Sequence, residues 1–196
     1  MIQLHPFVRS DIETLIDWID SPEFLMQWGG PKLSYPLDRP QMEEILLGSE
    51  GPEPASLLFK AICSTCKQTV GHIELCNIDR NNKSARVCRA LLGPKSLRGA
   101  GMGAEMMRMV LQIGFEQLRL HRIELAVFDF NETAIACYEK VGLQKEGLLR
   151  DCYRMGDRYL SSYIMSILDH QWATANSTEK CDTDTHPGKD CACSYM

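Results

Sequence analysis

The fold of this chain is decided by a short glycine-rich stretch, Arg98-Gly99-Ala100-Gly101-Met102-Gly103. It comes after the strand-like run Ala85 to Leu92 and a polar spacer, and it opens an amphipathic helical pattern that ends near Arg119. Glycines let a backbone approach a ligand closely, and the free amides at the start of a helix attract phosphate oxygens. Arg98 adds a positive charge beside those amides. The stretch therefore predicts a phosphate-binding turn between a strand and a helix.

Two phosphate-binding motifs fit this turn at slightly different spacings. Gly99-x-Gly101-x-x-Ala104 matches the dinucleotide fingerprint, with Asp129 at the end of the next strand as the ribose ligand. In dinucleotide folds, however, the first glycine follows its strand at once, whereas the spacer Pro94 to Arg98 intervenes here. The chain after Asp129 also predicts a hairpin instead of further strand–helix units. The second spacing, Arg98-x-x-Gly101-x-Gly103, is therefore favoured.

The pattern of apolar and polar residues places this turn in a mixed α/β chain. A first strand and a helix capped by Ser10 precede Ser21 to Leu37, which is predicted to be loop-rich. Three strand-like runs separated by polar turns then indicate an antiparallel meander. After the glycine turn and its helix come a short apolar strand, a helix capped by Asn131 and a closing hairpin around Gly156-Asp157. The predicted strands from the meander onward are Leu57–Ile62, Thr69–Ile78, Ala85–Leu92, Arg122–Phe128, Leu143–Tyr153 and Arg158–Leu168.

Several motifs that follow in register resemble the N-acetyltransferase superfamily abbreviated GNAT. Its pyrophosphate loop reads Gln or Arg, two residues, Gly, one residue, then Gly or Ala. The resemblance covers Ile2 to Leu168, and the chain looks like the branch of ribosomal-protein-alanine N-acetyltransferases. It implies an α/β (α+β) fold with a mixed, mostly antiparallel sheet, a central splayed parallel strand pair and about four helices. The matching segments are Gly71–Leu75, Phe115–Leu118, His121–Leu125, Asn131–Ala134, Cys137–Gly142 and Lys145–Gly147.

The resemblance also implies a reaction, the transfer of acetyl from acetyl-CoA directly to a primary amine of a small molecule or protein N-terminus. No metal is expected. A non-catalytic acetyl-CoA-binding module remains the alternative. Cys88 stands where relatives often carry Gly, and its side chain is expected to narrow the cleft for the cofactor. The residues implied to bind acetyl-CoA are Leu92, Arg98, Gly99, Ala100, Gly101, Met102, Gly103, Asn131 and Tyr138.

Two side chains are the candidates for proton transfer. Tyr138 occupies the helix position of the superfamily's catalytic tyrosine, and a phenol of pKa about 10 can protonate a thiolate whose thiol has a pKa of about 8.5. Glu74 alternates with Ile73 and Leu75 along a strand, so it faces away from them and can accept the amine's proton through water. Asp129 and Glu132 are the fallback bases.

The resemblance further implies that the loop from Phe24 to Tyr35 forms the wall of the acceptor site. Trp28 and Tyr35 either line the acceptor wall or simply pack beneath that loop. The sequence therefore predicts where substrate choice is made without identifying the amine.

Composition narrows the partners and the compartment. A net charge of −5 argues against a nucleic-acid surface, and no apolar run is long enough to span a bilayer. Nine scattered cysteines without a secretion signal are interpreted as reduced thiols in the cytoplasm. A homodimer is compatible with the sequence. Residues 1–170 are predicted to form the N-acetyltransferase domain, and residues 171–196, poor in aliphatics, a disordered tail.

Overall fold

The computed structural model describes residues 1–97 and 99–179. The strands of this part of the chain are β1 Ile2–Pro6, β2 Leu57–Cys63, β3 Thr69–Asp79, β4 Ser84–Leu92, β5 Arg122–Phe128, β6 Gln144–Met155 and β7 Arg158–Leu168. The α-helices are α1 Ile12–Asp17, α2 Pro22–Gly29, α3 Arg39–Leu47, α4 Met102–Gln112, α5 Glu132–Lys140 and α6 Asp169–Glu179. All seven strands belong to one sheet, in the order β1-β2-β3-β4-β5-β7-β6.

One strand pair of this sheet differs from the others. Neighbouring strands run antiparallel except β4 and β5, which are parallel. The ladder between them consists of three residue pairs in the described chain, Ser84–Arg86 opposite Arg122–Glu124. Beyond those pairs the two strands separate toward their carboxyl ends. The predicted mixed sheet with a splayed parallel pair is confirmed.

A bulge in β4 redirects a side chain beside this separation. The β3–β4 register shifts between the pair His72–Leu91 and the pair Glu74–Cys88. Arg89, the residue in the irregular stretch, has a φ of 49°, in the left-handed region that non-glycine residues seldom adopt. Bulges of this kind re-aim a side chain relative to regular alternation. The bulge brings Arg89 onto the carboxylate of Glu74.

The segment predicted as loop-rich, Ser21 to Leu37, contains helix α2, so that prediction was wrong for its first half. Ser21 caps the helix through its Oγ, which accepts the amide of Phe24 at 3.2 Å. Pro22 occupies the first helical turn, where its missing N–H costs nothing. Leu25 and Trp28, three residues apart, bury the inner face. The helix therefore covers one face of the sheet.

Hydrophobic clusters lie on both faces of the sheet. The larger joins the inner faces of α4 and α5 to β3, β4, β5 and β7, and the smaller joins α1, α2 and α3 to the opposite face. Helix α4 is preceded by its N-cap residue Gly101, whose φ of +84° suits glycine, and it passes into a π-helical turn, Ile113–Gln117. The glycine stretch therefore connects the sheet to the helix that packs over its centre.

The end of the domain differs from the sequence prediction for residues 171–179, which continue α6 instead of beginning a disordered tail. Trp172 is only 7% exposed, and its ring stacks on Phe115 with centroids 5.8 Å apart. The burial of Trp172 thus accounts for an ordered helix in a segment whose composition is polar on average. Residues 180–196 lie outside the described residues. None of the described helices combines the length and apolar character that crossing a bilayer requires.

Candidate active site

The divergence of β4 and β5 opens a cleft of about 570 Å³. One side is formed by β4 and by Glu74, Cys76 and Asn77 of β3, and the other by the end of β5. Asn131 and Tyr138, near α5, close one end. Helix α2 and the turn after it, through Lys32, close the other. The cleft therefore runs through the sheet between α5 and α2.

The glycine stretch lies at the start of α4. Gly99 and Gly101 have φ values of +83° and +84°, and a methyl group added to either would meet no atom of the described residues within 4 Å. Leu97 anchors the stretch in the core and is 2% exposed. The amide of Glu105 donates the first intrahelical hydrogen bond of α4, to the Gly101 carbonyl, so the earlier amides of Met102 and Gly103 have no intrahelical acceptor and can donate to an anion. Ala100 lies between the two glycines, and Arg98 lies outside the described residues.

Asn131 and Tyr138 are brought to the cleft by the same helix. Asn131 caps α5, because its Oδ1 accepts the amide of Ala134 at 3.3 Å. Tyr138 lies two turns further along and lines the cleft while packing on the larger hydrophobic cluster. Burial raises the pKa of Tyr138, with a smaller contribution from the neighbouring Cys137. The phenol therefore stays protonated throughout the neutral range.

Glu74 is fully buried. Its Oε1 lies 2.9 Å from Nε2 of His72, and its Oε2 accepts a hydrogen bond from the Arg89 guanidinium. The His72 ring meets the rings of Phe7 and Trp28 edge-on, at centroid distances of 4.7 and 5.9 Å. Both carboxylate oxygens are thus engaged, while the residue lines the cleft. A buried charge is stabilised by such pairing.

The two predicted acceptor residues occupy different environments. Trp28 lines the cleft, and its indole Nε1 donates to the backbone oxygen of Arg89 at 2.9 Å, which braces the β4 bulge. Tyr35 is 46% exposed, lies outside the cleft lining and donates its hydroxyl to the Asp20 carbonyl at 3.3 Å. Leu92, at the end of β4, packs on the larger cluster.

The cysteines depart from the expectation of reduced thiols. Cys76 and Cys88 form a disulfide between β3 and β4, with Cα atoms 6.5 Å apart, within the usual range for such bonds. Both line the cleft, so Cys88 does contribute to its wall, as part of a cross-link. The described cysteines outside this disulfide are Cys63, Cys66, Cys137 and Cys152.

Sequence reasoning missed two residues of this site, His72 and Arg89. Their contacts depend on the strand register and on the bulge, neither of which a periodicity reveals. A usable signal was present, because a buried acidic residue on one strand requires a cation on its neighbour. The fallback bases Asp129 and Glu132 are exposed and lie outside the lining.

The fold agrees with comparisons to solved structures. Spermidine N-acetyltransferase from Vibrio cholerae, in complex with CoA and spermine, matches with a TM-score of 0.75 at 23% identity. The match covers 88% of this chain and 98% of that chain. At this identity the likeness establishes a shared fold.

Sequence comparisons reach the same family. Uncharacterized N-acetyltransferase p20 of Bacillus licheniformis is 30% identical over 115 residues, 59% of this chain and 64% of that protein. Spermidine N(1)-acetyltransferase of Escherichia coli K12 is 27% identical over 111 residues, 57% of this chain and 59% of that protein. The matched segments span less than two thirds of both relatives. A family model for the acetyltransferase (GNAT) domain matches residues 2–144. With more than half of its length matched and the splayed sheet in place, this chain belongs to the GNAT acetyltransferase domain family.

Proposed function

We propose that this protein transfers acetyl from acetyl-CoA directly to the primary amine of a small molecule or a protein N-terminus. The observation that carries this proposal is the cleft between β4 and β5, whose lining includes both a protonated phenol, Tyr138, and a buried carboxylate, Glu74. These are the two proton-transfer groups that acyl transfer from a thioester to an amine requires.

The cofactor end of the cleft is assigned to the glycine stretch and the edges of the separated strands. Pyrophosphate oxygens would accept from the amides of Gly99 to Gly103, with Arg98 as counter-charge. Leu92 and Asn131 would flank the pantetheine arm. The open space beside Gly99 and Gly101 supports this assignment, because apart from their chain neighbours no atom of the described residues lies within 4 Å of a methyl group added there.

The proposed reaction uses one residue that can accept a proton and one that can donate a proton. The amine must lose a proton to attack, and Glu74 is the one carboxylate among the described residues of the lining. We therefore assign Glu74 the role of the general base that accepts the proton of the amine. The neutral amine would attack the thioester carbonyl carbon and form the new C–N bond, and the C–S bond would break as the carbonyl reforms. Tyr138 would donate its phenolic proton to the leaving thiolate and regain a proton from the acylated nitrogen. No covalent acyl-enzyme and no metal are part of this proposal.

The alternative of a non-catalytic acetyl-CoA-binding module is favoured by one observation, the engagement of both Glu74 oxygens by His72 and Arg89. A thiol-release assay with acetyl-CoA, a panel of primary amines and EDTA separates the two. Amine-dependent thiol release is the expected result. Binding of acetyl-CoA by calorimetry without thiol release from any amine would support the module instead.

We propose that this reaction takes place in the cytoplasm. Cytoplasmic thiols are kept reduced, so the Cys76–Cys88 disulfide is the feature that opposes this location. Alkylation of thiols in a freshly quenched cell lysate, followed by mass analysis, decides the state of the pair in the host. The homodimer is likewise a proposal, tested by light scattering of the purified protein.

A further inference from the structure

The end of the cleft next to α2, here called the acceptor chamber, has an unexpected charge balance. We define this chamber by the cleft-lining residues of the segment Gly29 to Lys32, by Cys76 and Asn77 of β3, and by Arg86 and Cys88 of β4, where Arg86 stands opposite Cys76 in the strand ladder. Among the described residues, the whole cleft is lined by three cationic side chains, those of Lys32, Arg86 and Arg89, and by a single carboxylate.

That carboxylate is already neutralised. Glu74 is paired with Arg89, so neither group is available to compensate another charge. Glu124 stands opposite Arg86 in the β4–β5 ladder, but its carboxylate is held by Arg122 at 2.8 Å. No ion pair within the described residues involves Arg86 or Lys32. Two cations in the acceptor chamber therefore lack a counter-ion.

The position of Arg86 separates it from the cofactor's phosphates. It precedes the end of β4 by six residues, or about 20 Å at the rise of a strand, and the glycine stretch lies beyond that end. The same rise puts it about 10 Å from the bulge at Arg89. Arg86 is thus within reach of an acceptor and remote from the pyrophosphate site.

This arrangement disfavours a polyamine. Additional ammonium groups would enter a chamber that already has unpaired cations and no free carboxylate, and like charges in a partly desolvated space repel strongly. A guanidinium, in contrast, binds a carboxylate or a phosphate through two parallel hydrogen bonds. A cleft of about 570 Å³ is the size of a small-molecule site, and the pantetheine arm occupies part of it.

We propose that the acceptor is a small-molecule amine bearing an anionic group, a carboxylate or a phosphate, bound by Arg86 with Lys32 at the rim. This inference rests on the proposed acetyltransferase function and narrows its substrate class. The acceptor chamber therefore selects against the cationic amines named for the spermidine enzymes of this fold.

The test compares matched amines in the thiol-release assay. Amino acids are paired with their carboxamides, phosphoethanolamine with ethanolamine, and spermidine is included. The expected result is a higher kcat/KM for the anionic member of at least one pair, and the two kinds of pair distinguish carboxylate from phosphate. Arg86→Gln should lower that kcat/KM about 10- to 100-fold, mainly through KM, and leave the neutral member unchanged.

Two variants keep this test decisive. Arg86→Lys should recover part of the loss, because it restores charge without the bidentate geometry. Lys67→Gln, which removes a lysine from the exposed β2–β3 turn, should change neither member of a pair. Two results would overturn the inference and leave the acetyltransferase function standing. One is acetylation of spermidine and neutral amines in preference to every anionic amine. The other is an Arg86→Gln variant in which the ratio of kcat/KM between the anionic and the neutral member of a pair is unaltered. Absence of thiol release with all amines overturns both.

Discussion

Tyr138 combines a position in the cleft with a pKa that burial raises. A raised pKa means that the folded protein favours the neutral phenol, so its contribution to stability is present below pH 10 or so and falls at higher pH. The same shift keeps the proton available for the leaving thiolate at every pH where the enzyme would work. The Tyr138 phenol is therefore protonated, and able to donate its proton, throughout the neutral pH range.

Tyr138→Phe removes that proton while keeping the ring that packs on the core. We expect kcat to fall about 100-fold or more, with the affinity for acetyl-CoA nearly intact, because a general acid contributes to the transition state and not to cofactor binding. Steady-state kinetics measures kcat, and calorimetric titration measures the affinity for acetyl-CoA. Unchanged turnover at saturating amine would remove Tyr138 from the mechanism.

Glu74→Gln tests a residue that has both a structural and a proposed chemical role. The variant leaves the Arg89 guanidinium, which is partly buried, without its counter-ion, a change that costs about 3 kcal/mol in buried pairs. We expect a lower thermal midpoint and a lower kcat, measured by a thermal melt and by the thiol-release assay.

The double variant Glu74→Gln/Arg89→Met separates those roles, because it removes the stranded cation as well. Stability should largely recover while turnover stays low, as expected if Glu74 takes the proton of the amine. Recovery of both stability and turnover would assign Glu74 to structure alone.

Among the elements, β3 and β4 are joined by more than their backbone ladder. The Cys76–Cys88 disulfide closes a loop with a sequence separation of 12 residues. A loop of this size stabilises a fold by about 3 kcal/mol through the entropy of the unfolded chain. Reduction should therefore lower the thermal midpoint by about 6–12 °C for a domain of this length.

The control for this prediction is the double variant Cys76→Ser/Cys88→Ser, whose midpoint should not respond to the reductant. The measurement is a thermal melt with and without tris(2-carboxyethyl)phosphine. Quantitative alkylation of both thiols before any reduction, together with equal midpoints, would show that the bond does not form.

Sequence patterns predicted those elements that are stabilised by residues adjacent in the chain. Asn131 as a cap, the hairpin at Gly156-Asp157 and the glycine turn all depend on a few adjacent residues, and the fold confirms them. Ser21-Pro22 carried an equally local signal for α2, but the aromatic and glycine content of the segment obscured it. For a helix of this kind, the capping residues predict the start of the helix better than the composition of the segment does.

Across the whole molecule, the parts that sequence could not predict depend on distant partners. Arg89 meets Glu74 only because a bulge shifts one strand register, and Cys76 meets Cys88 because two strands align diagonally. Trp172 is buried by Phe115, from a different part of the chain. Family resemblance predicted the splayed sheet, since that feature is a property of the fold. It did not reveal the charge of the acceptor chamber, which belongs to this chain's own side chains.

The separation of β4 and β5 has a consequence for how the sheet holds together. Three rungs of parallel ladder join a four-stranded half, β1 to β4, to a three-stranded half, β5 to β7, among the described strands. Beyond those rungs each half has an edge strand inside the molecule, with backbone groups that need partners. An extended ligand in the gap would lie between these two edge strands and could hydrogen-bond to their backbone groups. The opening that admits it is therefore also the seam along which the two half-sheets are least firmly joined.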